Sequence, residues 1–214
     1  MFNYKILFVI IFCISNCSLV SAVERVDPLK VFLKEFETLQ ADFTQTLLSE
    51  DGEELEKTTG TLYLQQPGKF NWHYKKPYVQ KIITNGEVLW IYDEDLEQLT
   101  IRKFQSDMIE KTPAAIILGN SRLEQHFVQV DLGDIEGFNW VELTPRDLEA
   151  QYKNIRIGFD LKRLGMMIIA DNLGQTTRID FDDVNKNTKL SPELFNFEIP
   201  DGVDVIDERL INNN

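Results

Sequence analysis

Between Lys69 and Lys76, Phe70, Trp72 and Tyr74 alternate with Asn71 and His73, a period of two that places three aromatic rings on one face of a strand. A helical period precedes it. Leu29, Phe32, Leu33, Phe36 and Leu39 recur at three- and four-residue intervals after Asp27-Pro28, a capping carboxylate followed by a proline at the first helical position. The spacing predicts an amphipathic helix ending near Gln40, whose apolar stripe must be buried against another element.

Runs of residues rich in β-branched and aromatic types follow, separated by turn signals at Asp51-Gly52, Gln66-Pro67-Gly68, Asn85-Gly86, Leu164-Gly165 and Leu173-Gly174. They predict strands near 41–48, 58–65, 69–75, 79–84, 87–92, 98–104, 126–132, 138–144, 152–160, 165–171 and 175–183, with a short one near 195–199. Connections this short imply antiparallel neighbours in a meander. A second short helix interrupts it, capped by Thr112, opened by Pro113, closed by Gly119, and carrying Ile116, Ile117 and Leu118. No serine- or glycine-rich linker and no internal repeat divides the chain. One domain with a large antiparallel sheet is therefore expected, with two apolar helical segments to cover it.

The first residues read as an export signal. Lys5 supplies the positive end, residues 6–14 are almost unbroken apolar, and Val20-Ser21-Ala22 provides a small-residue cleavage site. The run is too short to span a bilayer. A signal peptide over residues 1–22 and a mature domain over residues 23–214 are expected. Cys13 and Cys17, the two cysteines of the chain, both lie in the signal, so the mature domain is held by its core and not by disulfides. Acylation of Cys17 is the competing reading, but Ile14-Ser15-Asn16 fits poorly before such a cysteine.

Without Lys5 the chain has 21 basic residues against 35 acidic ones, a net of minus 14. Such a balance repels nucleic acid and anionic lipid surfaces, so no nucleic-acid partner is expected. The acidic clusters at Glu50-Asp51-Gly52-Glu53-Glu54, Asp93-Glu94-Asp95 and Asp180 to Asp183 lack the glycine and glutamate spacing of a calcium loop and read as solvated turns and strand faces. Enzyme chemistry has little to stand on. His73 and His126 are the two imidazoles, neither in a metal or nucleophile motif, and no phosphate-binding glycine loop is present. His73 points away from the face of Phe70 and Trp72. A carboxylate pair for glycoside hydrolysis stays open, because any two acidic residues can meet in space. No metal or cofactor is expected.

The aromatic row itself has two readings, a packed core or the lining of an apolar cavity. Buried strand aromatics usually pack against other side chains, which favours the core. Leu62 and Leu64 on the preceding strand, and Val88, Trp90 and Tyr92 beyond the Asn85-Gly86 turn, join either version.

Several segments taken together resemble the periplasmic outer-membrane lipoprotein carrier family, LolA, over nearly the whole mature chain. They are the amphipathic first helix, Phe43-Thr44-Gln45, Gly60-Thr61-Leu62-Tyr63-Leu64 leading through Pro67 into Phe70-Asn71-Trp72-His73, Asn85-Gly86, Leu89-Trp90-Ile91-Tyr92, Glu97-Gln98, Thr112-Pro113 and the ending Ile199 to Val205. Their order and spacing carry the resemblance more than any one motif.

The resemblance implies an incomplete, half-open antiparallel β-barrel of about eleven strands covering an apolar cavity, with a helical lid. It turns the aromatic row into cavity lining: Phe70 at the mouth for cargo acceptance, with Trp72, Tyr74, Leu62, Leu64 and Trp90, and a lid made by Leu29, Leu33, Phe36, Ile116, Ile117 and Leu118. It implies a soluble periplasmic chaperone, expected as a monomer, that takes acylated lipoproteins from the inner-membrane LolCDE transporter to the outer-membrane receptor LolB. The alternative is a membrane-anchored receptor of the LolB kind or a related lipid-binding sensor domain. The family's arginine before the proline, which latches the closed lid through backbone oxygens, is replaced here by Gln66. A neutral donor there implies a weaker latch.

Overall fold

The computed structural model describes residues 27–104, 116–118 and 123–210. The expected signal peptide and the Thr112-Pro113 start of the second expected helix lie outside the described residues.

Helix α1 (Pro28–Glu35) starts as its sequence dictates. Asp27 Oδ1 accepts from the backbone N–H of Leu29 at 3.0 Å and of Lys30 at 3.1 Å, and Pro28 opens the first turn. It ends earlier than Gln40. Phe36 is already extended, and Leu39 belongs to strand β1 (Thr38–Leu48). Leu39 fits the helical stripe at three residues from Phe36, but it also alternates with Ala41 and Phe43. The strand pattern wins because ladders on both sides claim it, pairing Leu39 with Leu64 and with Lys186.

The other strands are β2 (Glu54–Gln65), β3 (Lys69–Lys76), β4 (Gln80–Thr84), β5 (Val88–Asp93), β6 (Gln98–Lys103), β7 (Phe127–Ile135), β8 (Phe138–Pro145), β9 (Tyr152–Asp160), β10 (Arg163–Asp171), β11 (Thr176–Lys186) and β12 (Asp204–Asp207). A second helix, α2 (Leu123–His126), precedes β7. All twelve strands form one open sheet in the order β12-β6-β5-β4-β3-β2-β1-β11-β10-β9-β8-β7. The eleven strands expected from the sequence are present, and the meander closes by pairing β1 with β11.

The expected strand near 195–199 is not formed. Pro192–Phe195 is a turn of 3-10 helix instead, and the last strand is β12, which lies parallel to β6. The segment before β12 crosses the sheet rather than extending it. Phe195 is buried, Phe197 stacks 5.0 Å from the Tyr92 ring, and Asn71 Nδ2 donates to the Leu194 carbonyl at 2.8 Å. Side chains therefore hold it where a ladder cannot.

Cross-strand pairs share a face, so the register defines the inner surface. Trp72 pairs with Leu62 and Ile82, Phe70 with Leu64 and Thr84, and Ile82 with Ile91. On the other side Phe43 pairs with Phe181, Ile179 with Met167, Met167 with Ile157, and Ile157 with Val141. These side chains form one apolar cluster with α1. Gln66, just past β2, bonds to Leu33 near one end of α1, and Gln129 on β7 bonds to Asp27 at the other. β2 and β7 stand six places apart in the strand order, roughly 29 Å in a flat sheet, whereas an eight-residue helix is about 12 Å long. The sheet must curl around the helix, as a half-open barrel.

Gly60 has a specific part in that curl. A Cβ there would lie 2.0 Å from the His73 carbonyl oxygen and 2.6 Å from the Phe43 ring. Its absence lets Phe43 lie across β2 and lean on Trp72 at 4.8 Å between ring centroids.

Candidate functional site

The inner wall brings together most of the residues singled out in the sequence. Phe70, Leu62 and Leu64 are fully buried, Trp72 nearly so, and Tyr74 half-buried against them, all in the same cluster. Phe70 meets Phe104 edge-on at 6.1 Å, while Phe43, Trp72 and Tyr74 pack around one another within 4.8 to 6.2 Å. Beyond Tyr74 the wall becomes polar. The Tyr74 hydroxyl donates to Gln45 Oε1 at 3.2 Å, and burial drives its phenol well above the ordinary range. Tyr78, 6.3 Å from the Tyr74 ring, is pushed up to about 12 by burial and then by Glu56 beside it.

The residues expected to form a lid pack against this wall. Leu29 and Phe36 are buried, Leu33 is half-buried, and Ile116, Ile117 and Leu118 are buried in the same cluster. Phe32, which the sequence placed on the apolar stripe but not in the lid, is more deeply set than Leu33, with its ring 4.9 Å from Phe36.

Polar contacts fix both ends of α1. The last carbonyls of a helix have no partner within it. Here Gln66 Nε2 donates to the Leu33 carbonyl at 3.0 Å and Asn187 Nδ2 to the Glu35 carbonyl at 2.9 Å. Asn187 Oδ1 accepts from the Glu37 N–H at 2.7 Å, completing a clamp at the helix exit. Lys162 and Lys186 approach the Glu35 carboxylate at 3.3 and 3.4 Å and hold it below its usual range. At the other end, Gln129 Nε2 donates to Asp27 Oδ2 at 2.6 Å, and Lys30 pairs with Glu124 at 2.6 Å. The ion pairs are exposed and individually weak.

Trp90 is not on this wall. It packs with Val88, Tyr92, Leu99, Ile101, Phe197 and Val203 in a second cluster on the outer face. The reason is parity. Thr84 shares the face of Phe70 and pairs with Leu89, so Leu89 and Ile91 point inward and Val88, Trp90 and Tyr92 outward. Any two-residue hairpin loop pairs an even position with an odd one, and that rule was available in the sequence. Asn187 carried no such signal, since its role depends on β11 ending beside the exit of α1.

His73 lies on the outer face, in a groove of about 640 Å³ between β2–β4 and the crossing segment, lined also by Tyr63, Asn71, Lys81 and Phe197. Burial, then Lys81 and Lys75, lower its pKa. Among the described residues no group of three His, Cys, Asp or Glu side chains is placed to hold a metal ion.

Residues 34–198 match the family model described as "Outer membrane lipoprotein carrier protein LolA". The chain is 42% identical over 181 residues to a protein of Methylococcus capsulatus named outer-membrane lipoprotein carrier protein, covering 85% of this chain and 86% of that one. It is 41% identical over 181 residues to a protein of the same name from Nitrosospira multiformis, with 84% and 87% covered. Among solved structures, an uncharacterized conserved protein from Thermus thermophilus superposes with a TM-score of 0.55 at 10% identity, covering 84% of this chain and 96% of that one. That likeness concerns the fold alone.

Proposed function

Since the chain belongs to the LolA family of outer membrane lipoprotein carrier proteins, we propose that it ferries acylated lipoproteins through the periplasm, from the inner-membrane LolCDE transporter to the outer-membrane receptor LolB. In this reading residues 1–22 are removed on export and the mature protein works in solution. The observation that supports it is the seating of one short helix in an apolar sheet interior, tied down by side-chain contacts at its two ends and by no strand pairing. The lid can leave and return without breaking a ladder.

The physical task sets the requirement. At ~0.8 kcal/mol per methylene, about 45 methylenes in three acyl chains represent some 35 kcal/mol of gross transfer cost from membrane to water. A carrier must offer a substitute apolar surface and still release its cargo. Displacement of Leu29, Phe32 and Phe36 by acyl chains exchanges one apolar contact for another, which keeps net affinity low enough for release. Phe70 lies beside Leu64, the last inner-facing residue before the Gln66 contact, and is the wall residue that arriving chains meet as α1 lifts.

Mass spectrometry of the protein purified from the periplasm tests the reading. A triacylated lipoprotein co-purifying in one-to-one complex is the expected result. Persistent absence of lipoprotein, together with no release of lipoprotein from spheroplasts when the purified protein is added, would overturn it.

A further inference from the structure

Two buried polar groups on the inner faces of the neighbouring strands β2 and β3 lack a hydrogen bond of good geometry among the described residues, and Tyr74 and Gln45 connect them. Trp72 is 2% exposed and its Nε1–H finds no acceptor in bonding geometry, although the Tyr74 hydroxyl is near enough to interact with it; Thr58 is 1% exposed and its hydroxyl is likewise unbonded. Thr58 stands opposite Gln45 in the β1–β2 ladder, two residues along β2 from Gly60, which stands opposite Tyr74. Because Phe43 faces inward, Gln45 and Thr58 do so too. Gln45 is in turn the acceptor for the Tyr74 hydroxyl, and Tyr74 stacks on Trp72. One polar nook is thereby formed by β1, β2 and β3 where the apolar wall gives way to its polar end.

Buried polar groups are nearly always hydrogen-bonded, so two orphans sharing one nook need a reason. Their chemistry restricts what fits. An indole nitrogen can only donate, and a hydroxyl can donate too. The matching group is an oxygen acceptor with two lone pairs, arriving through an apolar chamber. We infer that Trp72 Nε1 and Thr58 Oγ1 form a carbonyl-binding subsite, which takes the ester or amide carbonyl at the head of an acyl chain and so fixes how deep the chain enters. The inference rests on the carrier reading and adds a polar anchor to it. Gln45, already holding Tyr74, keeps the far side of the nook in place.

The test compares three fluorescent lipopeptides of equal chain number and length in binding to the full mature protein: one with two ester-linked chains, its ether-linked counterpart, and one in which an ether-linked chain is replaced by an amide-linked chain. Wild type should bind at least one carbonyl-bearing probe roughly tenfold more tightly than the ether alone, the scale of one or two buried hydrogen bonds. The arm that gains identifies ester or amide as the partner. Trp72→Phe and Thr58→Val should each shrink the ratio of carbonyl-probe to ether-probe affinity toward one, whatever each does to ether affinity alone. Thr58→Val should also raise the melting temperature of the empty protein, because it deletes an unpaired buried hydroxyl; a hydroxyl with a structural role would lower it. Equal binding of all three probes to wild type overturns the subsite and leaves the carrier reading standing. Binding of none overturns both.

Discussion

Gln66 Nε2 and the Leu33 carbonyl oxygen lie 3.0 Å apart, so a residue at the end of β2 caps an orphan carbonyl of α1. The resemblance implied an arginine in this role and a weakened latch with glutamine. The structure keeps the geometry and drops the charge. Negative potential gathers at a helix C-terminus, and a neutral donor forgoes that attraction.

Removing the donor should therefore free the lid by a modest, measurable amount. Gln66→Ala is expected to lose about 0.5–1.5 kcal/mol of lid closure, read as faster hydrogen exchange of α1 amides with little change in sheet amides. Gln66→Arg should slow the same exchange, and should slow release of a bound fluorescent lipopeptide.

Asn187 makes a second clamp, and its backbone sits at a φ of 60°. Asn187→Gly keeps that conformation accessible but deletes the bonds to Glu35 and Glu37, so a loss of roughly 1–2 kcal/mol is expected in denaturant unfolding. Asn187→Ala should lose somewhat more, because alanine adds the left-handed strain. The excess of one variant over the other measures the strain alone.

The two faces of β3–β5 separate two tryptophan-rich surfaces. Trp90→Ala, on the outer face, should leave lipopeptide uptake at the wild-type rate. Phe70→Ala, fully buried on the inner face, should cost about 3–5 kcal/mol of stability, partly recovered when acyl chains fill the space. Equal defects in uptake would contradict the face assignment.

Acid should loosen α1 before it unfolds the sheet. Lys162 and then Lys186 hold Glu35 below its ordinary value of 4.5, and Lys30 does the same for Glu124. With the folded value depressed, the unfolded state takes up the proton first as pH falls. The contribution is full above the unfolded value and is lost as pH drops through the folded one. His73 adds a separate step in the same direction, since burial lowers its pKa from 6.5 and the unfolded chain protonates first. Hydrogen exchange of α1 followed from about pH 5 to pH 3 should accelerate in wild type and much less in Glu35→Gln.

Much of the fold was legible in the sequence because period and punctuation agree. Asp27-Pro28 starts α1, and the eleven alternating runs became β1 to β11. Where two periods overlap, as at Phe36 and Leu39, the local pattern is ambiguous, and the ladder partners Leu64 and Lys186 decide for the strand. The aromatic character of Trp90 suggests the inner wall, but its parity with Leu89 excludes it. Apolar residues in the crossing segment suggest a strand, although Pro192 and Pro200 bracket it. Asn187 depends on a contact across 152 positions of the chain, and the Thr58–Trp72 nook on how side chains pack across β1 to β3, which no local pattern encodes.

The parallel docking of β12 on β6 has a consequence for biogenesis. Arg102 and Glu208, joined at 2.8 Å, are separated by 106 positions, so this margin of the sheet is sealed only after nearly every other strand has been made. Until then the unpaired amides and carbonyls of β6 are open to any extended chain nearby. A newly made molecule thus passes through an interval of vulnerability to misassociation, and a mutation that weakens the Arg102–Glu208 pair lengthens that interval without touching the inner wall.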